Sequence, residues 1–148
     1  MQSANQVRIS KIKVTKDKLG LKWATIELSR PVDESDRYAP AVTSALEHMR
    51  ENEKVSRMKL SEQVASRNLV FFAGLGVDKP SDVFPGVEVG NFRIKREESE
   101  DRDWIVLSFD FTVPLEDARR WLIPSIGDDI LCVVEDAQLS FPDSKTDN

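Results

Sequence analysis

Among the side chains that could take part in catalysis, carboxylates are abundant in this sequence, whereas it has only one histidine and one cysteine. A classical zinc site or a nucleophile–base pair needs more of those two residue types, so His48 and Cys132 predict neither. Magnesium needs only one or two acids plus substrate phosphates, so a carboxylate-based, metal-dependent enzyme is one alternative. The acids available for it are Asp78, Glu88, Asp110, Asp128 and Asp129. They form no motif of fixed spacing, and the sequence therefore predicts no enzyme, no catalytic residue, no metal site and no cofactor.

Cations that lie close to a tryptophan suggest binding rather than catalysis. Strand parity places Lys11 and Lys13 on the same face as Trp23. It likewise places Lys95 on the same face as Trp104. Cations beside an exposed aromatic ring suit single-stranded nucleic acid, but an acidic chain with net charge -5 disfavours that use. Lysine stems that shelter the edge of an indole ring would explain the same pattern. We predict these five residues as the binding residues.

An acidic turn follows the second basic strand. The acids in and around it are Glu97, Glu98, Glu100, Asp101 and Asp103. A solvated turn accounts for such a cluster. A row of carboxylates that imitates the phosphates of DNA accounts for it as well. The second interpretation predicts an inhibitor of a host or phage protein that processes nucleic acid.

The elements that must position these residues occur twice in the same order. A basic strand leads through a polar turn into a strand with a tryptophan at or near its start, Trp23 in one copy and Trp104 in the other. Each second strand ends at a proline, Pro31 or Pro114, which is followed by acids typical of a helix start. The offset between the copies is roughly 81 to 83 positions. The pattern predicts two pseudo-repeated halves, about 7–73 and 87–141.

Hydrophobic periodicity predicts the individual elements. Strands are predicted at 7–15, 21–30, 55–60, 68–73, 87–98, 104–113 and 130–134. Helices are predicted at 33–53, with regular helix starting as late as Pro40, and at 115–123. Residues 61–67 fit a helix or a loop, and 74–90 reads as a connection between the halves. We therefore expect an α+β fold, in which antiparallel sheets from two β-β-α-β units are covered by two helices.

Length and composition limit the class of protein. The chain has 148 residues, of which 40% are hydrophobic and 32% charged, and this balance predicts one globular domain over residues 1–148 with disordered ends at 1–6 and 142–148. Its longest apolar run is too short to span a membrane, and no secretory signal is predicted. A single cysteine predicts a reducing cytoplasm. Residues 1–30 hold seven cations against two acids, so their net charge is +5 and that of the remaining 118 residues is -10.

In its short length, duplicated hairpins and acidic charge, the chain resembles small phage and prophage accessory proteins, a likeness that rests on no family motif. The resemblance implies action by binding host or phage machinery. The expected function is that of a non-catalytic, cytoplasmic binding or assembly protein that acts through protein–protein contacts. Self-association as a homo-oligomer is expected, because the basic hairpin of one copy suits the acidic surface of another. No membrane contact is expected.

Overall fold

A computed structural model of the chain describes residues 5–32, 40–60, 64–74, 76–98 and 103–136. Within these ranges lie eight strands, two helices and a 3₁₀ turn at Ile123–Ser125. The strands are β1 Asn5–Lys16, β2 Lys22–Pro31, β3 Arg57–Lys59, β4 Val64–Phe72, β5 Asp82–Pro85, β6 Glu88–Glu98, β7 Asp103–Pro114 and β8 Asp129–Asp136. The helices are α1 Pro40–Glu51 and α2 Leu115–Arg120. The class is α+β, with antiparallel strand as the dominant structure.

The strands form one antiparallel sheet in the order β3-β6-β7-β2-β1-β8-β4-β5. A further pairing of β4 with β6, which sets Val64 opposite Val89 and Ala65 opposite Glu88, closes this sheet on itself. Six strands, β6-β7-β2-β1-β8-β4, therefore make a ring of pairings, and β3 and β5 lie outside it. The sequence predicted separate antiparallel sheets, each with one buried face. A closed ring instead has an inner side and an outer side.

The inner side of the ring and both helices share one hydrophobic core. Alternate residues of the strands point inward, for example Ala24, Ile26 and Leu28 of β2, which are fully buried. Met49 of α1 and Ala118 of α2 belong to the same cluster. Because β2 and β7 are antiparallel, their last residues, Pro31 and Pro114, lie at opposite ends of this strand pair. The two helices contact different strands of the ring, α2 next to β2 and β7 and α1 next to β6, rather than covering one sheet face together.

Several predicted elements differ from the observed ones. The segment 74–90 contains a strand, β5, and not only a connection. The second helix ends at Arg120, three residues early, because Trp121 leaves the helical conformation with φ -146°. The first strand begins at Asn5, whereas the rest of the predicted loose ends lies outside the described residues. The predicted helix start at 33–39 lies outside them too.

Candidate functional site

The five predicted binding residues lie on one outer face. Strand register places Lys11 opposite Glu27 and Lys13 opposite Thr25, so both lysines share the face of Trp23. In the second hairpin Glu97 is opposite Trp104, and Lys95 follows the same parity. The pairing of β2 with β7 joins the two hairpins into a four-stranded face, β1-β2-β7-β6. Trp23 is opposite Pro114, which lies ten residues from Trp104 along β7, so the two rings are roughly 33 Å apart along the strands.

An ionic network occupies the centre of this face. Glu27 of β2 and Asp110 of β7 are direct cross-strand partners, and Arg93 donates hydrogen bonds to both carboxylates. The Arg93 Nη2–Asp110 Oδ1 distance is 3.1 Å. All three side chains are mostly buried, with exposed fractions of 21% for Arg93, 29% for Glu27 and 20% for Asp110. Arg93 offsets one of the two negative charges in this network. The network separates the two predicted lysine–tryptophan groups, which therefore do not form a single groove.

Each hairpin has a register shift where its first strand meets this network. The shift falls between Ile9 and Lys11 in β1, where the Ser10 hydroxyl donates to Glu27 Oε1 at 2.7 Å. In β6 the shift includes Asn91, whose side-chain amide donates to Asp110 Oδ2 at 2.7 Å. Asn91 has a φ of 54°, a left-handed conformation that asparagine tolerates better than most residues. The bulge residues thus orient both carboxylates toward Arg93.

The tip of hairpin β1–β2 is organised by one carboxylate. Asp17 Oδ1 accepts hydrogen bonds from the backbone N–H groups of Leu19 and Leu21, each at 2.9 Å. Asp17 Oδ2 accepts the indole N–H of Trp23, also at 2.9 Å. Gly20 completes the turn with a φ of 85°, which favours glycine. The tip is therefore a defined structure, and Trp23 is tied to it by its polar edge.

The pKa of Asp17 gives a test of this tip. The Trp23 indole N–H, together with three backbone N–H groups, holds the pKa of Asp17 below its ordinary value of 3.8. The contribution of Asp17 to the turn is consequently present above pH 3.8 and lost as the pH falls through its lower, folded-state pKa. Carboxyl NMR titration should give an Asp17 midpoint below 3.8. Trp23→Phe should raise that midpoint, whereas Trp104→Phe should leave it unchanged. A wild-type midpoint at or above 3.8 would contradict the arrangement.

Apolar side chains are exposed at the same tip. The exposed fraction is 86% for Leu19, 56% for Leu21 and 51% for Val14. The same hairpin carries five lysines, none of which lies within 4 Å of a carboxylate in the described part of the chain: Lys11, Lys13, Lys16, Lys18 and Lys22. These three apolar residues were not predicted as binding residues, although the sequence shows two leucines on either side of a turn glycine, with lysines next to them. The tip combines apolar contact area with uncompensated positive charge.

Beside this tip, no strand of the described residues covers the outer edge of β1. β8 pairs with β1 from Asn5 to Arg8, and a hydrogen bond from the Gly127 N–H to the Ile9 carbonyl follows. From Ser10 to Lys16, no backbone group of the described residues pairs with β1 on that side. Backbone donors and acceptors on an exposed edge form a template for another strand.

The structure gives less support to the predicted acidic residues, both those of the acidic turn and those considered for metal binding. In the acidic turn, Glu100, Asp101 and the side chains of Glu98 and Asp103 lie outside the description. Glu97 lies 3.9 Å from Lys95 Nζ. Of the acids considered for metal binding, Asp129 pairs with Arg8 at 3.0 Å and Asp110 with Arg93. In the described ranges no three His, Cys, Asp or Glu residues converge as metal ligands.

The histidine and the cysteine are separate from each other in this fold. His48 is exposed on α1, where its Nδ1 lies 3.3 Å from the side-chain nitrogen of Asn52. Cys132 is buried in β8, and this burial raises the pKa of its thiol to about 12. A thiol with such a pKa stays protonated at neutral pH, so Cys132 packs as a small apolar residue.

No family model, curated protein or solved structure matches the chain. Neither of the helices in the described ranges has the length and apolar character needed to cross a lipid bilayer.

Proposed function

We propose that this chain is a non-catalytic binding protein that docks a partner protein on hairpin β1–β2. The observation that carries the proposal is the exposure of Leu19 and Leu21 at the turn and of Val14 on β1, along an edge that no described strand covers. Exposed apolar groups rimmed by polar residues are typical of protein–protein contact sites. Burial of such a side chain against a partner stabilises the complex, by up to about 1.5–3 kcal/mol for a fully buried leucine.

Charge supports a partner that is acidic where it meets the hairpin. The first 30 residues carry a net charge of +5, and the uncompensated lysines lie within them. Oppositely charged surfaces speed encounter and select the partner, while the apolar groups supply affinity. The rest of the chain, at -10, makes a second copy one acceptable partner. The expected action in the cytoplasm, supported by the unpaired thiol of Cys132, is part of the same proposal.

We also propose that the two halves arose as one repeated unit. Support comes from the six-strand ring, whose pairings are unchanged when β1, β2 and β4 are exchanged with β6, β7 and β8. In both halves a helix follows the second strand of the hairpin. The bulge residues Ser10 and Asn91 add support, since they lie 81 positions apart and each binds a carboxylate on the neighbouring strand. Superposing the two halves would test this origin, and unrelated backbone paths would contradict it.

The binding proposal is tested by removing the apolar groups at the tip. Leu19→Ser with Leu21→Ser should reduce retention of the partner from host extract about tenfold or more, because two apolar anchors are lost. Val77→Ser with Val83→Ser is the matched control, since these valines are 42% and 40% exposed elsewhere on the surface. Quantitative mass spectrometry of the retained proteins, with light scattering of the purified chain, provides the measurement.

The supporting result is a protein retained by wild type and control and lost by the leucine variant. If the retained protein is the chain itself, with a mass that is a multiple of 16.8 kDa, the partner is a second copy. Equal retention by all three proteins would contradict the proposal. So would a wild-type chain that retains nothing specific and stays monomeric.

A further inference from the structure

The two hairpins differ in how their outer edges are covered. β6 is paired at its base by β4 and farther along by β3, which sets Met58 opposite Ile94. Hydrogen bonds from the Arg96 N–H to the Ser56 carbonyl and from the Leu60 N–H to the Phe92 carbonyl extend that cover. β1 is paired at its base by β8 alone, and its edge from Ser10 to Lys16 has no corresponding strand among the described residues.

We propose that β1 binds an extended acidic segment of a partner protein as an added antiparallel strand. This inference rests on the proposed function and names the partner's chemistry and its mode of binding. The added strand would take the position on β1 that β3 takes on β6. Recognition of this kind draws affinity from main-chain hydrogen bonds and specificity from alternate side chains.

The side chains of β1 define the sequence that would fit. Lys11 and Lys13 are on the outer side, so partner residues beside them should be acidic. Ile12 and Val14 have the opposite parity, and Val14 is 51% exposed. Partner residues beside these two should be apolar, as Met58 is beside the fully buried Ile94. The preferred segment therefore alternates acidic and apolar residues over about five positions.

The same lysines disfavour pairing of β1 with β1 of a second copy. An antiparallel pair centred on Lys13 would place that residue opposite itself, and like charges directly opposite destabilise a sheet. Lysines on an edge strand are a common means of preventing self-pairing. An acidic strand turns this repulsion into attraction, and charge complementarity thus selects the occupant.

The probe is a ten-residue peptide of alternating glutamate and valine, with blocked ends and a fluorophore. Its fluorescence anisotropy with the full-length chain should show saturable binding, at least about tenfold tighter than that of the lysine–valine peptide. Lys11→Glu with Lys13→Glu should weaken binding about tenfold or more. Lys54→Glu with Lys79→Glu changes the net charge equally at exposed sites elsewhere and should leave it unchanged.

Backbone N-methylation separates strand addition from simple electrostatic adsorption. Methylating the amide nitrogens of either all valines or all glutamates removes the hydrogen-bond donors of one strand edge, and one of these two peptides should lose binding. If both methylated peptides bind as well as the parent, strand addition is overturned. That result leaves the proposed function standing as long as the serine substitutions at Leu19 and Leu21 still release the partner. Absence of saturable binding, or equal binding by both lysine variants, also overturns the inference.

Discussion

Replacement of Phe71 with alanine should lower the free energy of unfolding by about 3–5 kcal/mol. Phe71 of β4 is fully buried, and its ring centroid lies 5.9 Å from that of Phe84, 5.7 Å from Phe111 and 6.1 Å from Trp121. The ring thus connects β4 with β5, β7 and the segment after α2. Alanine would remove these contacts and leave a cavity that the surrounding strands could fill only partly.

Equilibrium denaturation with urea provides the measurement for Phe71→Ala. Val83→Ala on β5 is a suitable control, because its side chain is 40% exposed and should cost less than about 1 kcal/mol. A loss below about 1 kcal/mol for Phe71→Ala would mean that this aromatic cluster does not hold the ring of strands together.

Replacement of Arg93 with methionine should destabilise the chain by about 1–3 kcal/mol at neutral pH. The change keeps a long side chain but leaves the mostly buried carboxylates of Glu27 and Asp110 opposite each other without a cation. Like charges directly opposite on neighbouring strands repel. This repulsion would weaken the pairing of β2 with β7, which joins the two hairpins.

A compensating variant makes the Arg93 prediction specific. Adding Glu27→Gln and Asp110→Asn to Arg93→Met should recover most of the lost stability, because no charge then remains uncompensated. Lys95→Met removes a cation two residues away, 57% exposed, and should change stability by less than about 0.5 kcal/mol. No recovery in the triple variant would show that the loss comes from packing and not from the two acids.

The sequence was sufficient for the elements with long, regular alternation. Leu107, Phe109 and Phe111 alternate with the polar residues Ser108 and Asp110, and β7 was predicted within one residue at each end. β5 was missed because four residues between Ser81 and Gly86 are too few to show a period. Closure of the ring was missed because the pairing of Val64 and Ala65 with β6 is a tertiary contact, within a segment that had no clear periodicity.

The candidate site was predictable only where it depends on local parity. Parity placed Lys11, Lys13 and Trp23 on one face because a hairpin pairs residues close in sequence. The network of Glu27 with Asp110 depends on which two hairpins pair and in which register, and no local pattern encodes that choice. The open edge of β1 was invisible for the same reason, since an edge is defined by the strands that are not beside it.

Hydrogen exchange of the β1 backbone tests most directly whether this edge is the docking site. The amides between Ser10 and Lys16 that point away from β2 should exchange rapidly in the free chain, because no described strand protects them. Addition of the glutamate–valine peptide should slow their exchange while leaving the already paired amides of β6 unchanged. Strong protection of these amides in the free chain, or binding of the peptide without any new protection, would contradict the account.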